Sequence, residues 1–202
     1  MPRRPSSRGS SRGSDVPATP LHLVGAWAFY FATGRRGSLV AISLGSLLVD
    51  LEVPVYWALT GFDPYHSRGI LHSILGTLTV DVLLTYVTMR FLLPPVWRSL
   101  GKRWPKRRLY TFAGVDLRRD APGPWALYLS AAAGALSHLW LDLPTHSFNP
   151  LLWPETSDPL NLVPFSEYPP WEIGFNLVLL ALLLLLIRRY WAAWSPPRDL
   201  SR

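Results

Sequence analysis

Residues 137–146 read Ser137-His138-Leu139-Trp140-Leu141-Asp142-Leu143-Pro144-Thr145-His146. They close an apolar segment, 124–143, yet carry two histidines and a carboxylate at spacings of four. An ionisable group in hydrocarbon is expensive, so such groups face an internal cavity and a partner. His138 and Asp142, one helical turn apart, share a helix face. Imidazole and carboxylate are also the donors that a zinc-type hydrolytic site requires. The stretch therefore predicts a membrane helix whose polar face turns inward onto other helices.

The rest of the chain fits that setting. Of 202 residues 49% are hydrophobic and only 16% charged, which is low for a soluble domain. Five apolar segments are legible, at about 21–33, 37–60, 69–96, 124–143 and 171–192. A crossing needs roughly 20 apolar residues. The second, third and fifth meet that length, and 177–187 is almost wholly aliphatic up to Arg188-Arg189. The fourth contains Ala131-Ala132-Ala133-Gly134-Ala135, which suits close helix packing. The first is short and crosses either partly or fully. The expected fold is all-α, a polytopic membrane helical bundle of four to five transmembrane helices. It occupies 19–193, between a disordered basic tail (1–18) and a cytoplasmic tail (194–202). Leu21–Thr33 lacks a following small-residue cleavage site and precedes Arg35-Arg36, which favours a retained segment over a signal peptide.

The formal charge of +7 is clustered. Arg3, Arg4, Arg8 and Arg12 lie in the tail, Lys102 to Arg108 in a central loop, and Arg188, Arg189, Arg198 and Arg202 after the last run. These clusters read as positive-inside topology and contact with anionic membrane lipids, with no nucleic acid expected. Ten tryptophans, many near segment ends, suit an interfacial aromatic belt. With Arg35-Arg36, the central loop and the C-terminus on the cytoplasmic side of the inner membrane, loops 61–68 and 144–170 are external. Five crossings then bring every histidine to the external side, at the expense of placing the N-terminal arginines there too.

The chain has no cysteine, so any metal must be held by His, Asp and Glu. His22 opens the first segment, and Asp50 and Glu52 lie in the outer half of the second. His66 and His72 open the third, and His138, Asp142 and His146 close the fourth. Convergence of these groups at one depth is the economical explanation for burying them. Asp50 and Glu52, at i and i+2, point about 200° apart on a regular helix. Asp50 is the expected ligand, and Glu52 is either the catalytic base or a support for a ligand. His72 is the better ligand of its pair, while His66 is a ligand, a substrate contact or a loop residue. His146 reaches the site from a turn if Pro144 ends the helix. Asp81 reads as a packing or pairing residue. Arg68 reads as a solvated loop residue, with a contact to a substrate phosphate as the alternative. No nucleophile elbow or phosphate loop is present, so a divalent ion, zinc by preference, activating water is the economical mechanism.

Four pieces resemble the membrane-bound metal-dependent hydrolase family, which is remotely similar to the zinc-dependent phospholipase C and P1 nuclease fold. They are Thr-Pro-Leu-His22, Gly-Ser-x-x-x-Asp50-x-Glu52-x-Pro, His66-x-Arg-Gly-x-x-His72-Ser and Ser-His138-x-x-x-Asp142-x-x-Thr-His146. They span about 19–146. One departs from the family pattern, with Val49 where Pro commonly precedes the aspartate. The resemblance implies a helical bundle with inward metal ligands. Asp50, His72, His138 and Asp142 would hold one ion. His22 with a bridging Asp142 would serve a second, and His146 either. The resemblance bears on the metal site more than on the substrate; the expected substrate is an ester or phosphoester, lipid-linked because the site lies at bilayer depth, or a small molecule. The rival reading is non-enzymatic, with the same cluster serving as a structural or transport site for metal ions or protons.

Overall fold

The structure, a computed structural model, describes residues 19–60, 68–103, 123–146, 149–154 and 169–192. The two tails, His66, the basic residues 106–108 and the acids Asp63, Glu155, Asp158 and Glu167 lie outside the described residues. What is described is all helical and forms five runs. The first, α1, is Leu23–Ala32, entered through a 3-10 turn, Thr19–His22. The second, α2, covers 39–60: an α-helix Leu39–Leu48, a 3-10 turn Val49–Leu51 and an α-helix Glu52–Thr60. The third, α3, covers 74–103 and contains two π-helical turns, Thr77–Asp81 and Thr88–Leu92. The fourth, α4, is Pro124–Asp142, and the fifth, α5, is Pro169–Ala192.

Local chemistry sets the helix starts. The Ser38 hydroxyl accepts from the Ala41 N–H at 3.0 Å, and Ser73 accepts from Gly76 at 2.9 Å, each satisfying a donor that the first turn leaves orphaned. Pro124 occupies the first turn of α4, where its missing N–H is not needed. Pro54 likewise sits in the first turn of Glu52–Thr60, so the run continues through it rather than breaking.

The core is the crossing of α2 and α4. A Cβ on Gly45 would meet the Ala131 carbonyl, and one on Gly134 would meet the Ile42 carbonyl, so only glycine permits this approach. Ala131, Ala135, Ile42 and Val49 are buried around it. The Ser38 N–H donates across the interface to Ser130 Oγ at 3.0 Å. Close backbone contact through small residues is how helices associate where no water drives them together.

Three runs are long and apolar enough to cross a membrane, 39–59, 74–96 and 173–192. They correspond to the second, third and fifth expected segments. The ten residues of α1 extend about 15 Å, half of a hydrocarbon core of about 30 Å. Large apolar side chains cover the outside, among them Leu83, Phe91, Leu129, Leu177 and Leu184. Trp125, Trp140, Trp171 and Trp191 are exposed near the ends of α4 and α5, where an interfacial belt would lie. Arg35, in the α1–α2 turn, and Arg189, near the end of α5, both lie over the Phe31 ring, at 5.4 and 5.3 Å. These two basic segments therefore share one end of the bundle. Residue 22 lies about 15 Å along α1 from that end, as the helix rise requires.

Candidate metal centre

Four of the five runs deliver polar groups to one level: the entry to α1, the 3-10 turn of α2, the entry to α3 and the exit of α4. His22, Glu52, His72, His138, Asp142 and His146 are all buried there, and Asp50 nearly so. His138 is positioned by the α2–α4 crossing, because its Nδ1 lies 2.7 Å from the Ser46 carbonyl. A carbonyl only accepts, so Nδ1 carries a proton and Nε2 is the nitrogen that faces the cluster.

His72 is held in the same sense by Glu52. The Glu52 Oε2 accepts from the Gly69 N–H at 2.9 Å and the Leu71 N–H at 3.0 Å. The same oxygen lies 3.1 Å from His72 Nδ1. It thereby fixes both the 69–72 backbone and the imidazole tautomer, the arrangement that supports ligating histidines in metal sites. A regular helix would place Asp50 and Glu52 on nearly opposite faces. The 3-10 turn Val49–Leu51 advances about 120° per residue instead of about 100°, which closes the angle between them. The two carboxylates bracket His72, with Asp50 Oδ1 3.6 Å from Nε2 and Glu52 at Nδ1.

The inward atoms converge. His138 Nε2 lies 3.3 Å from both Asp50 Oδ1 and Asp142 Oδ2. His72 Nε2 lies 3.6 Å from Asp50 Oδ1 and 3.7 Å from Asp142 Oδ2. On the other side, His22 Nε2 lies 2.9 Å from Asp142 Oδ1, and His22 Nδ1 lies 3.9 Å from Asp50 Oδ2. α4 ends at Asp142, and the turn after it keeps the His146 N–H bonded to the Asp142 carbonyl at 3.0 Å. His146 Nε2 comes within 3.6 Å of Asp142 Oδ1. Burial, reinforced by the nearby Arg68 guanidinium, holds the His146 imidazole well below its usual range, despite Asp142, and so neutral.

These contacts do not satisfy one another. Among the described residues, His22 Nδ1, His72 Nε2, His138 Nε2, His146 Nε2 and both Asp142 oxygens are buried with no hydrogen-bond partner. The 2.9 Å His22–Asp142 approach is short but misaligned for a hydrogen bond. An unsatisfied buried polar group costs about 1–3 kcal/mol, more if charged. Charge-assisted hydrogen bonds are about 2.7–2.9 Å long, shorter than the 3.3–3.7 Å separations among His72, His138, Asp50 and Asp142. Four donors about 2.0–2.1 Å from a common centre stand about 3.3–3.4 Å apart in a tetrahedron. Two overlapping groups, His22–Asp50–His138 and His72–His138–Asp142, have ligand atoms all within 4.8 Å of one another and can hold a metal ion. Nitrogen and carboxylate donors with no sulfur suit zinc and its neighbours in the first transition row.

Two further residues enter the site. Arg68 Nη1 lies 3.4 Å from Asp142 Oδ2 and donates to Asn149 Oδ1 at 3.3 Å. The Asn149 Nδ2 donates to the His146 carbonyl at 2.7 Å. Arg68 is thus turned inward rather than solvated, with 10% of its side chain exposed. Asn149 gave no signal in the sequence: its bond to the His146 carbonyl is local, but the Arg68 contact that brings it into the site spans 81 positions. Asp81 is buried at the first π-helical turn with neither oxygen hydrogen-bonded, alongside an equally unpartnered Thr85 hydroxyl.

A family model described as YdjM inner membrane protein matches residues 19–196 of the chain. No curated protein and no solved structure matches it.

Proposed function

The chain belongs to the YdjM inner membrane protein family, also known as the membrane-bound metal-dependent hydrolases, and from that premise we propose a membrane-embedded, metal-dependent hydrolase. Its substrate is an ester or phosphoester, lipid-linked because the cluster sits at bilayer depth. Four to five helices cross the membrane, and the cluster faces the external side, opposite the end where Arg35 and Arg189 meet. The observation that carries the reading is the set of buried, unpartnered nitrogen and oxygen atoms gathered at ligand–ligand distances.

In this reading Asp50, His72, His138 and Asp142 would hold one ion, and His22, His146 and Asp142 would be the residues for a second. Bound zinc supplies Lewis acidity, polarising the ester and acidifying water. The protein's own residues do the positioning. Glu52 keeps the His72 Nδ1 proton through Oε2 and thus aims Nε2 inward, a supporting role. The Ser46 carbonyl does the same for His138. Val49, Leu71, Ala135 and Leu139 pack into one buried apolar cluster and come from the same helices as Asp50, His72 and His138.

Metal content of the purified protein, prepared without chelators, tests this. Wild type is expected to carry one to two equivalents of zinc and His138→Ala to have lost most of it. A metal-free wild type would sink the proposal. The transport reading draws on Asp81 and Thr85, which place unpartnered polar atoms in α3 beyond the His72 entry. Metal uptake into vesicles that is lost in Asp81→Asn, with bound zinc unchanged, would favour it.

A further inference from the structure

We propose that Arg68, held by Asn149, forms an oxyanion subsite beside the metal cluster, so that the substrate is a phosphoester anion rather than a neutral carboxylic ester. The proposal rests on the hydrolase reading above and narrows its substrate class. Asn149 is locked by its donation to the His146 carbonyl, which turns its Oδ1 toward the guanidinium. Arg68 Nη1 therefore has one neutral acceptor, Asn149 Oδ1, and one anionic neighbour, Asp142 Oδ2.

That anionic neighbour is shared. Asp142 Oδ2 is also the oxygen nearest His138 Nε2 and His72 Nε2, where an ion would be liganded. A divalent ion on this oxygen withdraws its negative charge from Arg68 and sets a second positive charge close by. In the two-ion reading the ions and Arg68 would exceed the three carboxylates Asp50, Glu52 and Asp142 by two formal positive charges, and an anion that touches both an ion and the guanidinium offsets that excess in a buried site. A guanidinium has five N–H donors in a fixed fork and pairs with phosphate bidentately. A neutral ester carbonyl offers no such charge, and hydrogen bonds to charged groups are about twice as strong as neutral ones.

The test is a calorimetric titration of the zinc-loaded, full-length protein with inorganic phosphate, with zinc content measured on every sample. Phosphate should bind wild type and bind Arg68→Ala about 10–100-fold more weakly, the effect of one charge-assisted contact, at equal zinc content. Arg68→Lys keeps the charge beside Asp142 and loses the fork, so it should retain zinc and still bind phosphate more weakly. It decides the matter if Arg68→Ala fails to fold or sheds zinc. Zinc-loaded wild type that ignores phosphate, or equal affinity in wild type and Arg68→Lys, overturns the subsite and leaves the metal centre standing. A wild type without zinc overturns both. A second titration with a short-chain phosphatidic acid identifies the source. Tighter binding than phosphate assigns a lipid headgroup, and equal binding assigns a soluble phosphoester, each again weakened by the Arg68 variants.

Discussion

α2 and α5 are both apolar enough to cross a membrane, but they meet their surroundings differently. In the membrane-length window of α2, 39% of the residues are buried, against 11% for α5. α2 is broken by a 3-10 turn, carries Gly45, Ser46, Asp50 and Glu52, and touches α4 backbone to backbone. α5 is one uninterrupted helix of 24 residues, dominated by leucine, with Leu177, Leu180, Leu182, Leu184 and Leu185 exposed. Hydrophobicity alone does not separate the two. Small residues and a local break mark the helix that builds a site, and unrelieved aliphatic sequence marks the helix that faces lipid.

Substitutions at matched glycines should break the symmetry most sharply. Gly134→Val puts a branched side chain against the Ile42 carbonyl and must push α4 away from α2. It is expected to destabilise by about 3 kcal/mol or more, and to lose metal with it, because the His138–Ser46 contact depends on that approach. Gly174, in α5, has open space where a Cβ would stand. Gly174→Ala is expected to leave metal content unchanged and to stabilise by up to about 1 kcal/mol through helix propensity. Thermal unfolding in detergent, with metal analysis on the same samples, compares the pair.

A smaller effect sharpens the account of α2. Glu52→Gln preserves shape but weakens the acceptor for three N–H donors. Its metal affinity should fall about 10–100-fold, the usual loss when a group behind a ligating histidine is changed. A competitive chelator titration measures this. The smallest effect belongs to α5 again. Leu184→Ala, 58% exposed, should change stability by less than about 0.5 kcal/mol and leave zinc untouched.

These contrasts explain what the sequence could and could not disclose. The all-α fold, the three long apolar runs and the convergence of His22, Asp50, His72, His138, Asp142 and His146 follow from periodicity and from the expense of burying ionisable groups. The Ala131–Ala135 run announced close packing, but its partner surface, Gly45, lies 86 positions from Ala131 and is visible only in three dimensions. Asp50 and Glu52 read as facing apart because a regular helix was assumed, and the 3-10 turn that brings both to His72 has no strong local signature. Arg68 read as a solvated loop residue because its partners, Asp142 and Asn149, are 74 and 81 positions away. Candidate ligands near helix ends are legible from spacing, whereas the inward turn of Arg68 and Asn149 depends on tertiary contacts.

X-ray absorption at the zinc edge, on wild type and His72→Ala, tests the central claim most directly. The account predicts a shell of only nitrogen and oxygen at about 2.0–2.1 Å, with imidazole scattering that falls in the variant. An imidazole signal identical in the two proteins, or none in wild type, would contradict it.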